Sequence, residues 1–125
     1  MRIKGIKVSI ATTILLLISS FDPVQAHSVL VSSNPANGAI LSQSPTSLVL
    51  NFSETLAQIK NKDINKVSLL DATKKIIKLG KVSVSNSVVK VIIAQTLAKG
   101  KYQIHFHVVA DDGHITDNFI SFSMK

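Results

Sequence analysis

The chain has no cysteine and no tryptophan, two methionines, one tyrosine and a single arginine, Arg2. The missing cysteine excludes a disulfide framework and any thiolate metal site, so stability rests on packing. With only Met1 and Met124, a thioether-rich copper(I) cluster is excluded as well. Aromatic residues make up 5% of the chain. Scarce arginine and few stacking rings argue against nucleic-acid binding, although the formal net charge is +7. No apolar run reaches the roughly 20 residues of a comfortable membrane span. The longest, Val8–Ile18, is interrupted by Ser9, Thr12 and Thr13.

That run belongs to a recognisable export signal. Arg2, Lys4 and Lys7 precede it, Phe21-Asp22-Pro23 ends it, and Val24-Gln25-Ala26 supplies small residues at the −3 and −1 positions of a cleavage site. Residues 1–26 are therefore read as a secretory signal peptide, with residues 27–125 as one mature domain. Those 99 residues carry 11 lysines and six acidic groups, a net charge of +5. The lysines are scattered among apolar residues, as on a solvated strand surface. A domain of this size buries roughly 65% of its unfolded surface, enough for one core.

The mature chain reads as strands and turns. Candidate strands are His27–Ser33, Leu48–Phe52, Lys66–Leu70, Lys75–Leu79, Val82–Val84, Val88–Ile93, Lys101–Val109 and Phe119–Met124. Turn signals lie at Asn34–Gly38, Asp71–Lys74, Gly80 and Ala98–Gly100. Thr55–Lys62 is read as a loop with room for one helical turn. Short strands at this spacing predict an all-β, single-domain Greek-key sandwich or barrel. In Lys101–Val109, Tyr102, Ile104, Phe106 and Val108 share a core face, and Gln103, His105, His107 and Val109 share the other. Ile120, Phe122 and Met124 form a matching core face, so Met124 is a packing residue and not a metal ligand. The connection between these strands, Asp111-Asp112-Gly113-His114, is a loop at one end of a rigid scaffold, where function tends to sit.

Cleavage after Ala26 would expose His27 as a mature N-terminus. Its α-amine and ring Nδ1 can then chelate one metal ion. Asp112 and His114 add an oxygen and a third nitrogen, and Gly113 between them lets the backbone bend. Three nitrogens and one oxygen suit the tetragonal plane of copper(II). Taken singly, Asp-Asp-Gly is ordinary turn chemistry, and some residue must follow any cleavage site; the joint occurrence carries the reading. Glu54 stands as a possible outer carboxylate beside the site. His105 and His107, two apart on a strand, are competing metal candidates, but alternation alone accounts for them as exposed polar positions.

With these residues in view the chain resembles the CopC family of small exported copper-resistance proteins. The resemblance rests on His27-Ser28-Val29-Leu30, Ser33-Asn34-Pro35-Ala36-Asn37-Gly38, Leu50-Asn51-Phe52-Ser53-Glu54 and Gly100-Lys101-Tyr102 through Val108-Val109-Ala110-Asp111-Asp112-Gly113-His114. It implies an immunoglobulin-like or cupredoxin-like Greek-key sandwich and one copper(II) ion on His27, Asp112 and His114. It also implies Glu54 near that site, a periplasmic location, and an inner-membrane copper transporter of the CopD type as a partner. Phe106 stands where tryptophan is frequent in the family, and His105 and His107 where arginine or other polar residues are common. Ala110, Ile115 and Asn118 replace a frequent serine, proline and glycine. None of these differences removes a ligand.

A filled four-donor plane suits holding copper(II) better than reacting on it, so the expected role is sequestration or carriage of copper, without catalysis. Two other readings are a copper-dependent oxidative enzyme with an N-terminal histidine brace and a metal-free envelope interaction module. No small-molecule substrate is implied. Ordinary α-amines titrate near 7.7–8.0 and imidazoles near 6.5, so binding must release protons and weaken below neutrality. His114 also needs an acceptor for its second ring nitrogen, which the sequence does not identify.

Overall fold

A computed structural model describes residues 29–125. The expected signal peptide 1–26, the expected cleavage junction and His27 lie outside the described residues. Nine strands are present and no helix among the described residues: β1 Leu30–Asn34, β2 Ile40–Leu41, β3 Ser47–Phe52, β4 Lys66–Asp71, β5 Ile76–Ile77, β6 Leu79–Ser85, β7 Val88–Ile93, β8 Gly100–Val109 and β9 Ile115–Met124. They form two sheets, ordered β1-β3-β7-β6 and β2-β9-β8-β4-β5. The β3–β4, β5–β6 and β7–β8 connections each pass from one sheet to the other, the interlocked connectivity of Greek-key sandwiches.

The alternation seen in the sequence becomes the core. Leu48, Leu50 and Phe52 of β3 and Val89, Val91 and Ile93 of β7 face Ile104, Phe106 and Val108 of β8 and Ile120, Phe122 and Met124 of β9, all buried. Intervening residues point outward because side chains in a strand alternate. Phe52 meets Phe106 edge-to-face between the sheets, with ring centroids 5.5 Å apart, a contact of about 0.5–1.5 kcal/mol beyond its area. The buried Tyr102 stacks on Phe122 and satisfies its hydroxyl by donating to the Ala98 carbonyl at 2.7 Å.

Three local expectations are corrected. Thr55–Lys62 contains no helix: Leu56 bridges Ala110, and the chain then reverses in a tight turn at Lys60-Asn61 closed by the Ile59↔Lys62 bridge. Leu56 is buried and its backbone N–H donates to the Asn86 carbonyl at 2.9 Å, so tertiary partners hold Thr55–Ala57 extended. Gly80 lies inside β6 instead of punctuating it. It sits at a register shift between Leu79 and Val82, where a β-carbon would stand 3.3 Å from the Ile92 Cβ. Finally, β9 begins at Ile115 and not at Phe119. Its first half is paired with β8 but has no strand on its other side, since β2 reaches only Ser123 and Met124. Ile115, Asp117, Asn118 and Phe119 are therefore exposed, and the stretch lacks the alternation of a covered strand.

Candidate metal centre

Five residues, Ala110–His114, turn β8 into β9. The Ala110 N–H donates to the His114 carbonyl at 2.9 Å, and the Gly113 N–H to the Ala110 carbonyl at 2.8 Å. Gly113 has φ = 87°, a left-handed conformation that glycine enters without strain. The turn is tightened from inside. The Asp112 Oδ1 accepts the His114 backbone N–H at 3.0 Å, and its Oδ2 lies 2.7 Å from the His114 Nδ1. Both side chains stay accessible, at 41% for Asp112 and 46% for His114.

The 2.7 Å spacing has two chemical uses. If Nδ1 carries the proton it donates to Asp112, fixing the ring and leaving the lone pair on Nε2. In that arrangement Asp112 is the acceptor for one ring nitrogen of His114. Alternatively, neighbouring ligands of a square plane with bonds near 2.0–2.2 Å stand about 2.8–3.1 Å apart. A metal can therefore replace the shared proton with little movement of either group. The backbone N–H of His114 and then its ring hold the Asp112 carboxyl below the ordinary value of 3.8. Ionised across the neutral range, it is a ready anionic donor, and the donor set fits a copper(II) ion.

The loop is held from below by a segment that sequence reading left as connection. Val109 lies beyond the last β4–β8 pair, Lys66↔His107, so its outward backbone groups need other partners. Ala57 N–H donates to the Val109 carbonyl at 2.8 Å, and the Val109 N–H donates to the Asn65 Oδ1 at 2.9 Å. Asn65, only 5% exposed, returns its Nδ2 to the Ala57 carbonyl at 2.8 Å. One step further, Asp111 N–H donates to the Thr55 carbonyl at 3.0 Å. The other end of this segment grips the start of the domain. Ser53 N–H donates to the Val29 carbonyl at 2.8 Å, and Val29 N–H to the Ser53 Oγ at 2.9 Å. Ser53–Ala57 thus joins Val29 to Asp111 at one end of the sandwich, with half-buried Glu54 in its middle. Val29 and Ile115 also line one groove of about 840 Å3 between β1 and β9.

Asp112 and His114 are therefore brought together, and Glu54 lies on the segment beside them; His27 is outside the described residues. Among the described residues no three histidine, aspartate or glutamate side chains already converge as a metal cage. His105 and His107 point outward from β8, as alternation predicts. His107 Nδ1 pairs with Asp117 Oδ2 at 2.9 Å, and the His105 ring stacks on Phe119 with centroids 5.4 Å apart. Met124 is in the core. Sequence reading missed Asn65, hidden in the polar stretch Asn61–Asn65, and Asp117, whose strand was begun four residues too late.

Fold and hairpin together define a small two-sheet Greek-key β-sandwich with a carboxylate–imidazole pair at the β8–β9 turn. The CopC domain model matches residues 30–125, and the chain belongs to the CopC family of copper-resistance proteins. Copper resistance protein C of Xanthomonas campestris pv. juglandis is 28% identical over 123 residues, covering 94% of this chain and 96% of the relative. CopC from Methylosinus trichosporium OB3b superposes with a TM-score of 0.68 at 26% identity, over 79% of this chain and 94% of that one. PcoC, a methionine-rich copper resistance protein from Escherichia coli, shares the fold at TM-score 0.67 and 24% identity, over 80% and 100% of the two chains.

Proposed function

We propose that this protein is exported, cleaved after Ala26, and holds one copper(II) ion in the periplasm between its new N-terminus and the Asp112–His114 turn. The observation that carries the reading is the Ser53–Ala57 segment, bonded at one end to Val29 and at the other to Asp111. Two residues span at most about 7 Å, so a chain that starts at His27 begins within short reach of the loop. His27 would supply its α-amine and Nδ1, His114 an imidazole nitrogen and Asp112 an oxygen. Family membership and the copper-resistance relatives support copper as the cargo.

The role is sequestration or carriage. With Asp112 in the plane, the fourth equatorial position is taken, and an oxidant would find no open one. A membrane copper transporter of the CopD type would be the exchange partner. Intact mass of exported protein, followed by copper(II) EPR on the same material, tests the reading. A mass beginning at His27 with a nitrogen-rich tetragonal spectrum is expected. A start at any other residue, or a spectrum unchanged by His114→Ala, overturns it. Rapid turnover of an oxidisable substrate with peroxide would overturn the carrier role separately.

A further inference from the structure

The His-x-His pair on β8 is not used by the copper site above, and the structure adds a third group beside it. His105 and His107 project from the same outer face, and the β8–β9 register sets Asp117 directly opposite His107. The His107 Nδ1 and Asp117 Oδ2 are 2.9 Å apart, again the separation of adjacent ligands around one ion. His105 stands two pairs further along, opposite Phe119, and half-buried. Its ring is held by the stack on Phe119 and by a 3.3 Å contact between Nε2 and the Gln103 Oε1. These five side chains lie on two paired strands, so their Cβ positions are fixed. With Lys66, Ser68 and Phe106, the residues His105, His107 and Asp117 line an open bowl of about 360 Å3.

We propose that His105, His107 and Asp117 form a second, weaker site for a borderline divalent metal such as copper(II) or zinc(II). Two imidazoles and one carboxylate select such ions over calcium or magnesium, which prefer all-oxygen shells. The metal takes the place of the proton between His107 and Asp117. His105 completes the site by turning away from Gln103 toward His107, which breaks one long hydrogen bond and a surface stack. Lys66 works against the site: it pairs directly with His107 from β4, and its ammonium repels a cation there. The site is therefore weaker than one without such a neighbour, and an ion held there remains exchangeable on the same hairpin that carries Asp112 and His114.

The test needs both halves of the first site disabled, so that the two sites are read apart. In a background carrying both His27→Ala and His114→Ala, copper(II) alone, in a non-chelating buffer, should broaden amide NMR signals centred on residues 105–107 and 117. Zinc(II) should bind the same place in a calorimetric titration. His107→Asn should weaken zinc(II) binding at least tenfold, His105→Asn at least threefold, and Lys66→Met should tighten it severalfold. All three positions are at the surface, and an unchanged circular dichroism spectrum confirms that the fold is retained. Broadening centred elsewhere, or an affinity indifferent to His107→Asn or His105→Asn, overturns the proposal. Its failure leaves the His27–Asp112–His114 reading untouched, because that reading is tested in the protein with His114 intact.

Discussion

Asn65→Ala is the substitution whose effect follows most directly from the structure. Asn65 is almost fully buried, and its amide bridges the Val109 N–H at 2.9 Å and the Ala57 carbonyl at 2.8 Å. Truncation leaves a donor and an acceptor without their partner where water has little access. Each such group costs about 1–3 kcal/mol, so the sum expected is about 3 kcal/mol. For a domain of this length that lowers Tm by roughly 12–24 °C. Because Val109 leads into the turn that carries Asp112 and His114, copper(II) affinity should fall as well, by about 10–100-fold, the range for groups that orient ligands. Urea denaturation and a competition titration with copper(II) measure the two effects. Asn65→Asp separates the two bonds: it keeps the acceptor for Val109 but sets an oxygen against the Ala57 carbonyl, so it should rescue little. A stability loss below about 1 kcal/mol, or full rescue by aspartate, would refute the claim that this amide clamps the base of the loop.

Gly113→Ala meets no atom within 4 Å, yet φ is +87°, so its cost is conformational, about 1–2 kcal/mol by urea denaturation, and Gly113→Asn should cost less because asparagine tolerates that region. Asp112→Asn should lower copper(II) affinity by more than the 10–100-fold typical of an orienting group; a loss within that range would make Asp112 an acceptor for His114 and not a ligand. The Asp112 carboxyl is held below its ordinary 3.8, so its bonds to His114 are present above that value and vanish only as pH falls through the lowered one. Copper release between about pH 8 and 5 should therefore follow amine and imidazole protons, and Asp112→Asn should leave the midpoint of that release, followed by EPR, in place. Adding one glycine ahead of His27 ties up the α-amine in a peptide bond and should change the EPR parameters to those of a site with one nitrogen fewer.

The sandwich was legible because most of its strands are covered on one face. Tyr102, Ile104, Phe106 and Val108 announce a core-facing strand, and so do Ile120, Phe122 and Met124. Where cover ends, the pattern ends: Ile115–Phe119 is half of a long strand, but nothing packs across its open edge, and its residues read as loop. The two-residue strand β2 is too short to show any period. The Asp112–His114 pair was legible for a different reason, since both residues sit in one turn with a glycine between them. What holds that turn was not. Asn65 lies 44 positions from Val109, and only the end of β4 at Lys66 explains why Val109 must look to a side chain for its partner. Thr55–Ala57 was misjudged on the same ground, because its straightness comes from Asn86, Val109 and Asp111 and not from its own residues.

The division of the proposed site into two local halves decides what copper can do for stability. Asp112 and His114 are two residues apart, and an N-terminal histidine chelates through its own amine. An unfolded chain retains each half, so it too binds copper(II), and a ligand stabilises the fold only by the excess of its native affinity. That excess comes from convergence alone: Val29 fastened to Ser53, Thr55 fastened to Asp111, and the strap that carries both anchored by the neighbouring Leu56 in the core. Copper(II) at 100 times its dissociation constant would add about 2.7 kcal/mol if the unfolded chain bound none. The gain should be clearly smaller than this, and it should shrink further in Ser53→Ala, which removes the Oγ acceptor for Val29 while leaving every proposed ligand in place. Differential scanning calorimetry with and without copper(II) reads both. An undiminished gain in Ser53→Ala would show that the Val29–Ser53 bond plays no part in bringing the N-terminus to the loop.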